Sequence, residues 1–211
     1  MILLFMHGWA FDRTLWQGVT AQLPEFDCRL ADRGYFGAAS MRDCPDQMIV
    51  VAHSLGTMHV LAAPPPHCRG LVAINGFDRF SAGEGFPGVP LRVLDRMNAR
   101  LAASPDAVVR EFRQRCGTDA PAGPLAIAGL QQDLALLRDG DCRADAARWN
   151  APIVLLEAED DPILTPALRA AVFASAPRLH RVRQPTGGHL LPVTEPAACA
   201  AAIRELVDLL P

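Results

Sequence analysis

Short apolar runs bounded by turn residues alternate along the chain with longer stretches in which apolar positions recur every three to four residues, the pattern of strands alternating with helices. The runs predict strands near Ile2 to Met6, Cys28 to Ala31, Met48 to Ala52, Leu71 to Ile74, Ile153 to Glu157 and Leu179 to Arg183. The periodic stretches predict helices at Leu15 to Gln22, Ser54 to Ala62, Pro166 to Ala174 and Pro196 to Leu210. In the last of these Ala200, Ile203, Val207 and Leu210 recur at helical spacing. This order is that of an α/β domain with a mainly parallel sheet flanked by helices.

Between Gly76 and about Asn150 the alternation stops and only helical patterns remain. Residues 77–150 are therefore expected to form a helical cap inserted between two strands of a single domain spanning 1–211. Three apolar stripes run through it: Leu91, Leu94, Met97 and Leu101; Val108, Val109, Phe112 and Cys116; and Leu130, Leu134 and Leu137. Each is expected to pack against the body or another cap helix. A helical layer over the end of a parallel sheet is also a place to build an acyl pocket.

The third apolar run ends in Ala52-His53-Ser54-Leu55-Gly56, a serine with small residues two positions before and after it. A strand that turns directly into a helix forces the turn residue into a strained backbone, and small neighbours keep that turn free of collisions. The hydroxyl is then presented at the sheet edge beside a helix N-terminus, where negative charge is favoured. A serine hydroxyl needs an imidazole to take its proton and an acid to orient that imidazole. Downstream, Glu159-Asp160-Asp161-Pro162 follows one predicted strand, and Gly187-Gly188-His189 follows the next. The order serine, acid, histidine makes Ser54, Asp161 and His189 the candidate catalytic set. Asp160 is the second candidate for the acid, with a loop or capping role as its simpler explanation, and Asp78 is a more distant third. After the first strand, His7-Gly8-Trp9 supplies a loop whose Trp9 N–H can join that of Leu55 as an oxyanion hole, with the Trp9 ring lining the acyl site. His7 is read as a brace for this loop. His53 is expected to point away from the serine by strand alternation, and His59, His67 and His180 to be structural or exposed. Asp32 to Gly37 reads as a structural turn near the site.

Composition narrows the chemistry. At 211 residues and 50% hydrophobic, the chain suits one domain with a sizeable core. A net charge of −3 gives no reason to expect nucleic acid as a partner. The basic residues are all arginine, which excludes a lysine Schiff base and a Walker-type phosphate loop. Six cysteines without CxxC spacing argue against a zinc site and a disulfide framework, so no metal and no cofactor are expected. Without a basic leader or a run long enough to span a bilayer, the expectation is a cytoplasmic monomer with no membrane partner.

Assembled in this order, the residues resemble the α/β-hydrolases over nearly the full length of the chain. Within them the resemblance points to the biotin-pathway carboxylesterases of the BioH and BioG groups, which act on the methyl ester of pimeloyl-acyl-carrier-protein. His7-Gly8-Trp9 and Trp16 are BioH-like. The short connection from Tyr35-Phe36-Gly37 to the serine strand, Ala52, Ile74-Asn75-Gly76 and Phe112-Arg113-Gln114-Arg115-Cys116-Gly117 are more BioG-like. The resemblance implies a reduced sheet of about six strands, because the chain starts at what would be the third strand of the full fold. It also implies a pocket lined by Trp9, Phe112 and His53, the last standing where these esterases carry tryptophan. The implied partner is a carrier-protein-bound or small ester. For an acidic carrier, Arg92, Arg96 and Arg100 on one helical face and Arg110 and Arg113 on the next are the candidate contacts, the alternative being an ordinary solvated face.

Overall fold

The computed structural model describes residues 1–40, 46–119 and 123–210. Its six strands are β1 (Ile2–Met6), β2 (Asp27–Leu30), β3 (Met48–His53), β4 (Cys68–Ile74), β5 (Ile153–Ala158) and β6 (Leu179–Gln184). They form one sheet in the order β2-β1-β3-β4-β5-β6, with every neighbouring pair parallel. Central strands of such a sheet are covered on both faces, which is why β1, β3 and β5 are apolar apart from His53 at the end of β3 and Glu157 in β5, and are buried at every position. The edge strands β2 and β6 are only partly buried and carry Arg29, Arg181 and Arg183.

The first predicted helix is a 3-10 turn, Arg13–Trp16, followed by the single turn α1 (Gln17–Thr20). The Asp12 side chain accepts from the Thr14 N–H and starts this segment earlier than the apolar periodicity suggested. Helix α2 (Leu55–Ala62) follows β3 directly. Between β4 and β5 lie α3 (Leu91–Ala103), α4 (Pro105–Arg115), α5 (Ile127–Asp139) and α6 (Arg143–Arg148). After β5 comes α7 (Pro166–Ala171), shorter than predicted because Val172 turns extended and Phe173 adopts φ 55°. Helices α8 (Leu191–Thr194) and α9 (Pro196–Asp208) follow β6.

With this strand order, the right-handed rule for parallel crossovers puts α1 on one face of the sheet and α2 and α7 on the other. Helix α9 packs on β4, β5, α1 and α8, which places it on the α1 face. Among the stripes between β4 and β5, Leu94, Leu101, Val108, Val109, Leu130, Leu134 and Leu137 are buried as expected, whereas Leu91 is 42% exposed. Five cysteines are free thiols, and Cys44 lies outside the described residues. Among the described residues no helix is long and apolar enough to cross a membrane, and no group of three His, Cys, Asp or Glu side chains could hold a metal.

Strand β1 pairs with β2 on one side and β3 on the other, so the order of the sheet reverses there and a crevice opens at the carboxyl ends of β1 and β3. The register Met6 opposite Ala52 brings the loop after β1 beside the turn after β3. That juxtaposition creates the site.

Candidate active site

Ser54 is the single residue between β3 and α2 and has φ 53° and ψ −124°, a strained conformation for a residue with a Cβ. Its surroundings explain the small neighbours. A Cβ on Gly56 would lie 2.6 Å from the Met6 carbonyl oxygen, so the helix could not pass the end of β1 with any larger residue. Ala52 is fully buried between Met6 and Ala73 of the adjacent strands. A Cβ on Gly8 would come within 2.9 Å of the Ser54 Cβ, so the β1 loop also packs directly on the turn.

The structure brings the three predicted residues together. His189 Nε2 lies 3.1 Å from Ser54 Oγ, and its Nδ1 lies 2.8 Å from Asp161 Oδ2. The other oxygen, Oδ1, accepts from the N–H groups of Ile163 and Leu164 at 2.7 and 3.1 Å. Burial works against ionisation of Asp161, but His189 and these two N–H groups outweigh it and hold its pKa below the ordinary carboxylate range. An ionised acid fixed at both oxygens orients the imidazole with Nε2 toward the serine. Gly187 and Gly188, at φ 122° and 63°, give the backbone the turn that delivers His189.

Asp160 faces the other way and accepts from the Gly187 and Gly188 N–H groups at 3.3 and 2.8 Å, which is the capping role. Asp78 accepts from the Phe173 N–H, away from His189. On the assignment of Asp161 as the orienting acid, Asp161→Asn is expected to lower turnover by about 10,000-fold through the wrong imidazole tautomer. Asp160→Asn is expected to cost less than about tenfold, since an amide oxygen still accepts. Steady-state kinetics of the two variants separate them.

Neither the Trp9 nor the Leu55 N–H donates to an acceptor among the described residues; Trp9 lies in the loop after β1, and Leu55 is the first residue of α2, next to Ser54. The Trp9 indole donates to the Leu130 carbonyl at 2.9 Å and meets the Phe112 ring edge-on at 5.0 Å. Trp9, Ser54, Phe77, Phe80, Met97 and Phe112 are among the walls of a mostly apolar cavity of about 230 Å³, in which Arg115 is the charged side chain. His7 braces the loop as expected: its Nε2 accepts from the Arg33 N–H at 3.0 Å.

Two expectations are corrected. His53 does not line the cavity. As the last residue of β3 it is fully buried, with its ring between Phe11 and His189 and Nε2 against the His189 carbonyl oxygen. The arginines do not form one outward face either. Arg113 turns inward, donating to the carbonyls of Ala10 and Asp119 and stacking over Phe11 and Phe36, and Arg100 is paired with Glu111 on the next helix. Arg92, Arg96 and Arg110 stay exposed.

Sequence reading missed two side chains, Asn75 and Asp133. Asn75 donates to the carbonyls of Gly188 and His189. Asp133 on α5 is buried and bonded to Arg33 and Tyr35, with His59 Nε2 at 3.1 Å. The predicted turn at Asp32 to Gly37 is thus a structural one that fastens α5 to the body. The only advance signal for Asn75 was an Asn-Gly pair after a strand.

The parallel six-stranded sheet, the strained serine turn and the loops at the strand ends are those of the α/β-hydrolase fold. The esterase from Exiguobacterium antarcticum superposes with a TM-score of 0.84 over 99% of this chain and 92% of that one, at 13% identity. In sequence the chain is similar to the pimeloyl-[acyl-carrier protein] methyl ester esterase of Legionella pneumophila, 27% identical over 193 residues, covering 82% of this chain and 80% of that protein. The protein of the same name from Yersinia enterocolitica is 24% identical over 229 residues, covering 93% and 89%. No family model matches the sequence.

Proposed function

We propose that this ester-hydrolysing enzyme is a serine carboxylesterase that removes the methyl group from pimeloyl-acyl-carrier-protein methyl ester. The observation that carries the reading is the connected line from Ser54 through His189 to Asp161, at 3.1 and 2.8 Å. Ser54 Oγ attacks the ester carbonyl while His189 Nε2 takes its proton. Asp161 holds the Nδ1–H and stabilises the imidazolium, and the N–H groups of Trp9 and Leu55 receive the developing oxyanion. The tetrahedral intermediate collapses, methanol leaves with the proton from His189, and an acyl ester on Ser54 remains. Water activated by His189 then releases the acid and restores the serine.

Two features support an acyl substrate with a long distal part. The cavity walls are aromatic and aliphatic. The cavity also shares Val93, Met97, Phe112 and Arg115 with an open groove between α3 and α4 that Arg96 and Arg100 line as well, which gives a longer chain an outlet. The helices between β4 and β5 act in this reading as the cap. A second reading, a general short-chain esterase, thioesterase or lactonase, is favoured by the reduced cationic face, with Arg113 half-buried and stacked on Phe11 and Arg100 occupied by Glu111.

The deciding measurement is kcat/KM on the carrier-protein methyl ester against a nitrophenyl ester and the free methyl ester of the same acyl group. The expected result is a preference of at least about tenfold for the carrier-bound ester, the size of one good contact of about 1.4 kcal/mol. Equal or lower efficiency on the carrier form selects the general esterase.

A further inference from the structure

The carbonyl of His189 is gripped by two side chains from the strands beside the serine. Asn75, which follows β4, is fully buried at φ 44°. Its Nδ2 donates to the Gly188 carbonyl at 2.9 Å and to the His189 carbonyl at 3.1 Å. Its Oδ1 accepts from the Ala158 N–H at 2.9 Å, and its own N–H donates to the Leu156 carbonyl at 2.8 Å. An N–H facing one end of the amide and two carbonyls facing the other leave a single consistent orientation for it. His53 Nε2 lies 2.9 Å from the same His189 carbonyl, and its ring centre is 4.9 Å from that of His189. Because the acceptor is a carbonyl, Nε2 carries the proton. Burial, with the neighbouring His189, pushes the His53 pKa down to about 3, so the ring is neutral at working pH and its donor persists.

These contacts fill a need. His189 follows two glycines in left-handed conformations, a backbone with little stiffness of its own. Asp161 reaches only the far side of the ring, at Nδ1, and does not locate the Cα. Asp160 holds the N–H side of the loop at Gly187 and Gly188, leaving the carbonyl side to Asn75 and His53. We propose that Asn75 and His53 are positioning residues that set the His189 imidazole against Ser54 by clamping the His189 carbonyl from the ends of β4 and β3. The inference rests on His189 being the general base.

Crossed pairs of substitutions test it. His53→Gln keeps an N–H donor and discards the ring; His53→Phe keeps the ring packing and discards the donor. Asn75→Asp keeps the acceptor for the Ala158 N–H and turns an oxygen toward both carbonyls. A displacement of the base by an ångström costs about 100-fold, so His53→Phe and Asn75→Asp are expected to lower kcat by about 10- to 100-fold with KM within about twofold. Labelling of Ser54 by a fluorophosphonate should slow in step. His53→Gln should stay within about threefold of the parent, the donor being preserved. Melting temperatures are measured in parallel, and should Asn75→Asp fail to fold, the His53 pair decides alone. Full kcat in His53→Phe together with loss in His53→Gln would overturn the proposal, because packing and not donation would then be what matters; so would a rise in KM at constant kcat. His189→Ala runs alongside: activity there removes the assignment of the base itself, whereas an inactive His189→Ala beside a fully active His53→Phe overturns only the clamp.

Discussion

Replacing Ser54 with alanine is expected to reduce ester turnover by about 10,000- to 1,000,000-fold, leaving only what the oxyanion donors and binding supply. The fold should survive, because alanine removes one oxygen and the strained turn is held by the packing of Gly8 and Gly56 around it. His189→Ala is expected to cost a comparable factor, and the double variant no more than either single one, because nucleophile and base act as a unit. Single-turnover kinetics and circular dichroism together check both halves. Undiminished hydrolysis by the alanine variant at position 54 would end the reading of this turn as the catalytic one.

The largest expected effect on stability lies at Asp133. Burial opposes its ionisation, but the adjacent His59 and the bonds from Arg33 and Tyr35 overcome that penalty and bring its pKa down to about 2. Asp133→Ala leaves the Arg33 guanidinium and the buried Tyr35 hydroxyl without their acceptor, a loss expected to cost about 3–5 kcal/mol. For a domain of this size that corresponds to a melting temperature lower by roughly 10 °C. Adding Arg33→Ala should recover part of the loss, since the stranded charge is removed with it. The sign with pH follows from the lowered value: this carboxylate stabilises the fold above the ordinary carboxylate pKa, and the contribution disappears as the pH falls through about 2. Thermal melts between pH 5 and pH 2 should therefore drop more steeply for the parent than for Asp133→Asn.

The sheet and the serine turn were legible because their signals are local. An apolar run, a tight turn with small neighbours and a glycine pair before a histidine are all written in consecutive residues, and a parallel sheet then places their ends side by side. What escaped is carried by side chains that meet only after folding. Nothing in the sequence near Asn75 indicates that its amide would reach the histidine loop more than a hundred residues later. The Asp133 cluster joins α5, α2 and the turn after β2, and only the turn itself drew notice. Helical spacing places Arg113 beside Arg110 as a surface charge, whereas the neighbouring rings of Phe11 and Phe36 attract it inward. Alternation along a flat strand turns His53 away from the serine, and its match to a pocket tryptophan places it in the cavity. The end of β3 instead delivers it beneath the loop that carries His189.

The left-handed backbone at Ser54 has a consequence for engineering. A residue with a Cβ in such a conformation holds on the order of 1–3 kcal/mol of strain, which glycine would not feel. Robustness and turnover thus pull in opposite directions at position 54: any screen that rewards heat resistance alone drifts toward discarding the hydroxyl. A more durable version of this enzyme has to gain its increments in the surface loops and helix ends, with the turn after β3 left as it is.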